Sequence, residues 1–167
     1  MRRWLTLCTL GALALTLTAA LPALADGGDG FRFKGSDSGP FTVSPTGTPG
    51  VVLTEGSYPG KANHGIGRYR LDAFEFVNLV TLEVTGGQFT ITTKKGSFSG
   101  TYSGSGALTS DPNVITYYVT GPITGGTGKY AGATGSIVFD GIVSFATGQL
   151  SDKVSGVLVL PDKDEDD

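Results

Sequence analysis

Few residues in this chain could do chemistry. The single histidine, His64, sits in Lys61-Ala62-Asn63-His64-Gly65, a loop running into strand-like sequence. One imidazole with no cysteine beside it cannot build a metal cage. No serine stands in a nucleophile-elbow sequence that would recruit it to a triad. The charges embedded in strand-like sequence are more informative: Arg68, Arg70, Asp72, Glu75 and Glu83. Alternation through Ile66 to Val77 puts Tyr69, Leu71 and Ala73 on one face with Glu75. If that face turns inward, Glu75 is a carboxyl in an apolar interior, with a raised pKa suited to an acid or base. The competing arrangement is a β-bulge near Ala73 that swaps faces and turns Phe74 and Phe76 inward. Tyr102 and Tyr117 fall on apolar faces of later strands. Each is expected to bury its ring and to hydrogen-bond its hydroxyl, within the protein or to a ligand. Glu75, Tyr102 and Tyr117 are therefore the candidate catalytic residues. Tyr69, Phe89, Phe98, Tyr102, Tyr117 and Phe139 are the candidate ligand-binding interior.

Two motif-like runs fail on context. Gly126-Thr127-Gly128-Lys129-Tyr130-Ala131 fits G-x-G-x-x-A, but strand-type sequence follows it. With no helix N-terminus there is no dipole or amide cluster to meet a pyrophosphate. As a phosphate loop it also fails, because Tyr130 replaces Ser/Thr and Ile123 stands where the first glycine belongs. A glycine turn between strands is the expected reading. Asp162, Asp164 and Asp166 imitate the start of a calcium loop, yet the chain stops before the glycine and the bidentate glutamate. Asp162 to Asp167 reads as a solvated, disordered acidic tail. No metal and no cofactor are expected.

The elements that must position these residues are strands. No long stretch has a 3.6-residue apolar period, and short alternating runs recur between Gly, Pro, Asn and Asp. Phe89 and Ile91 oppose Gln88, Thr90 and Thr92. Phe98, Gly100, Tyr102 and Gly104 oppose Ser97, Ser99, Thr101 and Ser103. Ile115, Tyr117 and Val119 oppose Thr116, Tyr118 and Thr120. Ile137, Phe139, Gly141, Val143 and Phe145 form one face, and Val154, Gly156, Leu158 and Leu160 another. One apolar and one polar face per strand indicates antiparallel sheet with one side buried. Phe41 to Val43, Val51 to Glu55, Ile66 to Val77 and Leu79 to Thr85 are the earlier strand candidates. Turns are read at Gly86-Gly87, Lys94-Lys95-Gly96, Asp111-Pro112-Asn113 and Gly125-Gly126-Thr127-Gly128. Glycines on the apolar faces suit a small barrel, where strands bend and large neighbours fill the taper. The expected fold is all-β: a single eight-stranded antiparallel β-barrel over residues 26–161.

The ends and the composition bound the setting. Arg2 and Arg3 precede an apolar run from Leu5 to Leu21, then Pro22 and Ala23-Leu24-Ala25. That is a signal peptide over residues 1–25, implying a secreted, periplasmic or cell-envelope protein with no stable membrane insertion after cleavage. Met1, Trp4 and Cys8, each the only one of its kind, lie in that segment. The mature chain then has no thiol and relies on core and backbone pairing alone. Loss of Arg2 and Arg3 takes the net charge from −3 to −5. No basic patch speaks for nucleic acid.

Ile123-Thr124-Gly125-Gly126-Thr127-Gly128-Lys129-Tyr130-Ala131-Gly132-Ala133-Thr134-Gly135 closely resembles a run found in bacterial secreted proteins of the allene oxide cyclase-like barrel type. Plant dirigent proteins and allene oxide cyclases carry a looser G-G-T-G-x-[FY] version. Asn63-His64-Gly65-Ile66-Gly67-Arg68-Tyr69 resembles the His-x-Gly-Arg-aromatic stretch of the bacterial group, and Asp111-Pro112 before Val114 to Val119 fits as well. The likeness spans His64 to Leu160. It implies an eight-stranded antiparallel barrel with a partly apolar cavity. The plant proteins it resembles steer reactive intermediates through a hydrophobic pocket, often as oligomers, so a homo-oligomer stays open. No catalytic residue of theirs carries over position by position.

Three functions suit such a barrel. The first is a binding module for a small apolar ligand. The second is an isomerase or cyclase that confines its substrate beside Glu75, Tyr102 or Tyr117. The third is a filled barrel acting as a cell-surface or interaction protein. The barrel interior separates them: hollow and apolar, hollow with a carboxyl facing a tyrosine, or solid. The leader itself yields a simple test. N-terminal sequencing of the exported protein is expected to begin Asp26-Gly27-Gly28, and a chain that keeps Arg2 and Arg3 would refute cleavage.

Overall fold

A computed structural model describes residues 30–161. The expected signal segment, the expected start at Asp26 and the tail expected to be disordered lie outside the described residues. Eight antiparallel strands follow one another round a closed barrel: β1 (Gly30–Pro45), β2 (Val51–Ala62), β3 (Gly67–Asn78), β4 (Glu83–Thr93), β5 (Gly96–Leu108), β6 (Val114–Gly126), β7 (Thr134–Ser144) and β8 (Gln149–Val159). Each strand pairs with its sequence neighbour, and β1 pairs with β8 to close the ring. Closure leaves no strand edge open to another chain.

The alternation read from Gln88 to Thr92, Ser97 to Gly104, Ile115 to Thr120 and Ile137 to Val143 is present with the stated faces. Three earlier expectations need correction. Gly86-Gly87 is not a hairpin turn. It lies inside β4, where an extra residue opposes Glu75 of β3 and Ser103 of β5, a bulge with Gly86 at φ +61°. Leu79 to Leu82 is a loop, so β4 starts at Glu83. β1 and β2 are longer than read, because Gly35, Gly39, Gly56 and Gly60 are strand residues and not breakers. The bulge does not swap the faces of β3: Tyr69 and Leu71 are buried, Ala73, Glu75 and Val77 line the interior, and Phe76 is exposed.

Those glycines have a packing reason. Interior aromatic rings lean across the barrel wall onto a glycine of the neighbouring strand. Tyr69 pairs with Gly60, Tyr102 with Gly87, Tyr117 with Gly141 and Phe33 with Gly156. A Cβ at Gly87 would lie 2.5 Å from the Tyr102 ring, and one at Gly141 the same distance from Tyr117. A flat ring over a glycine covers backbone that no side chain protects.

The two ends of the barrel differ. At one end Phe33, Phe98, Tyr130, Ala133, Ile137 and Leu158 are almost wholly buried. The glycine-rich run becomes a connection there with a single 3₁₀ turn, Gly128–Tyr130, which sets Tyr130 edge-on to Phe98 at 5.3 Å. Its role is to plug the barrel. At the other end stand the loops of residues 46–50, 79–82, 109–113 and 145–148, and there the interior is hollow.

Ring-on-glycine packing predicts an asymmetry between two glycines. Gly87→Ala drives a methyl into Tyr102 and is expected to destabilise by about 1–3 kcal/mol in urea titration. Gly125 has open space around its Cβ position, so Gly125→Ala should stay within about 0.5 kcal/mol of the parent. Equal effects would overturn the packing argument.

Candidate functional site

The open end holds a narrow cavity of about 80 Å³, smaller than the roughly 300–1,000 Å³ usual for ligand sites. Val77, Leu79, Leu82, Ile115, Val143 and Phe145 form its upper wall, with Leu71, Val119 and Phe139 deeper. The rim continues this apolar character, since Val43, Leu79, Val80, Leu108 and Phe145 are all exposed. The loop at residues 79–82 is held by Asn78, whose Oδ1 accepts from the N–H groups of Val80 at 2.9 Å and Thr81 at 3.1 Å.

Below the rim the strands deliver a polar belt. Glu75 follows Val77 inward on β3, and its two carboxyl oxygens accept from the hydroxyls of Thr54 and Tyr102. Asp152 follows Leu150 inward on β8 and accepts from the Tyr117 hydroxyl. Glu75, Asp152, Tyr102 and Tyr117 all line the cavity. A third pair lies close by: Tyr69 donates to Asp37 Oδ2 at 2.8 Å. Asp37 and Asp152 are register partners across β1 and β8, so two acids face the interior side by side. Asp37 Oδ1 is buried with no partner among the described residues. Tyr58 also lines the cavity, 4% exposed, and its hydroxyl has no hydrogen bond among the described residues.

No basic group answers these acids from inside. Every described Lys and Arg, and His64, is exposed. The ion pair Arg70–Asp72 is on the outer face. Burial therefore dominates. It raises Asp37 to about 6 against the hydrogen bond from Tyr69. It raises Asp152 to about 7 despite Tyr117, with Asp37, Glu75 and Asp140 adding repulsion. Burial raises Glu75 too, opposed by Thr54 and Tyr102. The tyrosines shift upward by burial and by the adjacent carboxylates, so they stay protonated donors. Chemically, Asp37 and Asp152 can gain or lose a proton near neutrality, Glu75 is shifted in the same direction, and each is oriented by a phenol.

Of the residues picked from sequence, Glu75, Tyr102, Tyr117 and Phe139 meet at the cavity. Tyr69, Phe89 and Phe98 are buried in the packed interior and are not among its lining residues. Phe89 touches the site indirectly, tilted against Tyr102 at 6.4 Å and edge-on to Phe139 at 5.7 Å. His64 lies exposed in the loop at the plugged end, away from the cavity. Sequence reasoning missed Asp37 and Asp152. Both continue a period of two, Phe31-Phe33-Gly35-Asp37 and Asp152-Val154-Gly156, that extended strands would have exposed. Comparisons with family models, curated proteins and solved structures return no match.

The raised carboxyls set the sign of the pH dependence. A carboxyl that releases its proton near pH 4 when unfolded and near 6 or 7 when folded makes the native state the better proton binder in between. Its stabilisation is full below about pH 4 and is lost as pH rises through 6 to 7. One pKa unit weighs about 1.4 kcal/mol. Urea titrations are expected to give higher stability at pH 4 than at pH 8, with a shallower fall in Asp152→Asn. Stability that climbs from pH 4 to pH 8 would contradict the assignment.

Proposed function

We propose that this chain is an exported barrel of the allene oxide cyclase-like type that binds a small, mainly apolar ligand in its interior cavity. One observation carries the reading: a closed barrel is plugged with aromatic side chains at one end and left hollow, apolar-walled and apolar-rimmed at the other. Packed interiors leave few voids larger than a water molecule, so an apolar-walled cavity of about 80 Å³ open at one end supports a seat for a slender ligand. The expected arrangement is an apolar body against Val77, Leu82 and Val143, with one polar group reaching the belt of Glu75 and Asp152. The leader argues for export to the cell envelope or beyond.

A second reading has its own support. Glu75 and Tyr102 face the same space, the pairing that a confinement isomerase or cyclase requires. A protonated carboxyl there would give its proton to a leaving or rearranging oxygen, and the walls would fix the fold of the substrate.

Native mass spectrometry of the protein purified from its own host is expected to show a retained small molecule. Ala73→Trp, which fills the cavity from β3, should expel it. Protein that is repeatedly empty, or binding that survives the filled cavity, would sink the binding reading. For the second reading, a reactive epoxide that rearranges unaided should yield one enantiomer in excess. Glu75→Gln should return the racemate, and an unchanged excess would remove Glu75 from the chemistry.

A further inference from the structure

Hydrogen-bond accounting in the cavity is one-sided. The hydroxyls of Thr54, Tyr102 and Tyr117 are spent as donors to Glu75 and Asp152. A carboxylate offers about four acceptor positions. Glu75 uses one on each oxygen, and Asp152 receives on Oδ1 alone among the described residues. The one hydroxyl at the wall not spent on a carboxyl is that of Tyr58, which faces the cavity. What faces the space is thus rich in acceptors and poor in donors. It is also rich in negative potential, because Asp37 stands behind Asp152 and every described basic side chain is on the outside.

The aromatic surface has the same preference. Tyr58, Tyr102, Tyr117 and Phe139 line the cavity, with the rings of Tyr102 and Phe139 5.5 Å apart. Ring faces attract a cation, and the attraction grows when water is excluded. A buried carboxylate without a counter-charge is costly, and a cation brought by the ligand removes that cost. Burial, the main cause, shifts Asp152 and Glu75 upward.

We propose that the ligand of this cavity is an amphiphilic amine, its ammonium group set between Glu75 and Asp152 and its apolar body directed to the rim. The inference rests on the binding reading above and names the ligand class for that site. A neutral alcohol can use only part of the acceptor array. An anionic head meets like charge and finds a single donor, Tyr58.

The test uses three probes with one apolar body: n-heptylamine, n-heptanol and n-heptanoate, titrated calorimetrically into the purified chain at pH 8. The amine is expected to bind at least tenfold tighter than the alcohol, with no binding by the carboxylate. Glu75→Gln and Asp152→Asn, both near-isosteric, should each weaken the amine at least tenfold and leave the alcohol within threefold. Having both variants keeps the test valid if one fails to unfold cooperatively. Alcohol binding equal to or tighter than amine binding overturns the amine assignment while the cavity stands as a ligand site. Loss of amine and alcohol affinity together in both folded variants also overturns it, since the carboxyls would then serve shape and not charge. Binding by none of the three overturns the inference and the reading beneath it.

Discussion

The interior of a closed eight-stranded barrel has a fixed width, and this chain fits bulky rings into it by setting each against a neighbour with no side chain. Tyr69 over Gly60, Tyr102 over Gly87 and Tyr117 over Gly141 are the same device repeated on different strands. The device decides more than packing. A ring that lies along the wall carries its hydroxyl across the adjacent strand, and on the strand beyond it each of these three tyrosines finds a carboxyl. Glycine placement, tyrosine direction and acid placement are one arrangement.

That arrangement explains how acids survive inside the barrel. A single hydrogen bond to a charged group contributes about 1.5–3 kcal/mol, less than the full cost of an unpaired buried charge. The phenols soften the burial without neutralising it, so Asp37 and Asp152 hold their protons into the neutral range. Where the interior is solid, the one such group among the described residues is the Tyr130 hydroxyl, which has no partner among them. Polar chemistry is confined to the half of the barrel that water or a ligand can reach, apart from the pair of Asp37 and Tyr69 at its border.

Much of the fold was legible because period-two alternation survives in most strands. It was least legible where glycine is dense. Gly35-Ser36-Asp37-Ser38-Gly39-Pro40 has the composition of a loop, yet pairs in full register with β8. Long-range pairing overrode local propensity there. Gly86-Gly87 misled for a related reason, since a bulge and a turn draw on the same residue. Spacing put Tyr102 and Tyr117 on apolar faces but left Glu75 open, because Phe74 and Phe76 occupy the alternate face of its strand. That Glu75 meets Tyr102 across the β4 bulge, and that Tyr117 meets Asp152, depends on strand order and shear, which spacing does not encode.

The seam between β1 and β8 has a consequence for assembly. Every other pairing joins strands adjacent in the chain and can zip from a hairpin, whereas this one must bring together the two extremities of the domain. Ring closure over such a span carries the largest entropy cost and belongs late in folding. Asp37 and Asp152 sit opposite one another on the two lips of that seam. That seam meets between two acids, and it is easier to draw tight while they hold their protons, so mildly acidic surroundings favour closure of the ring.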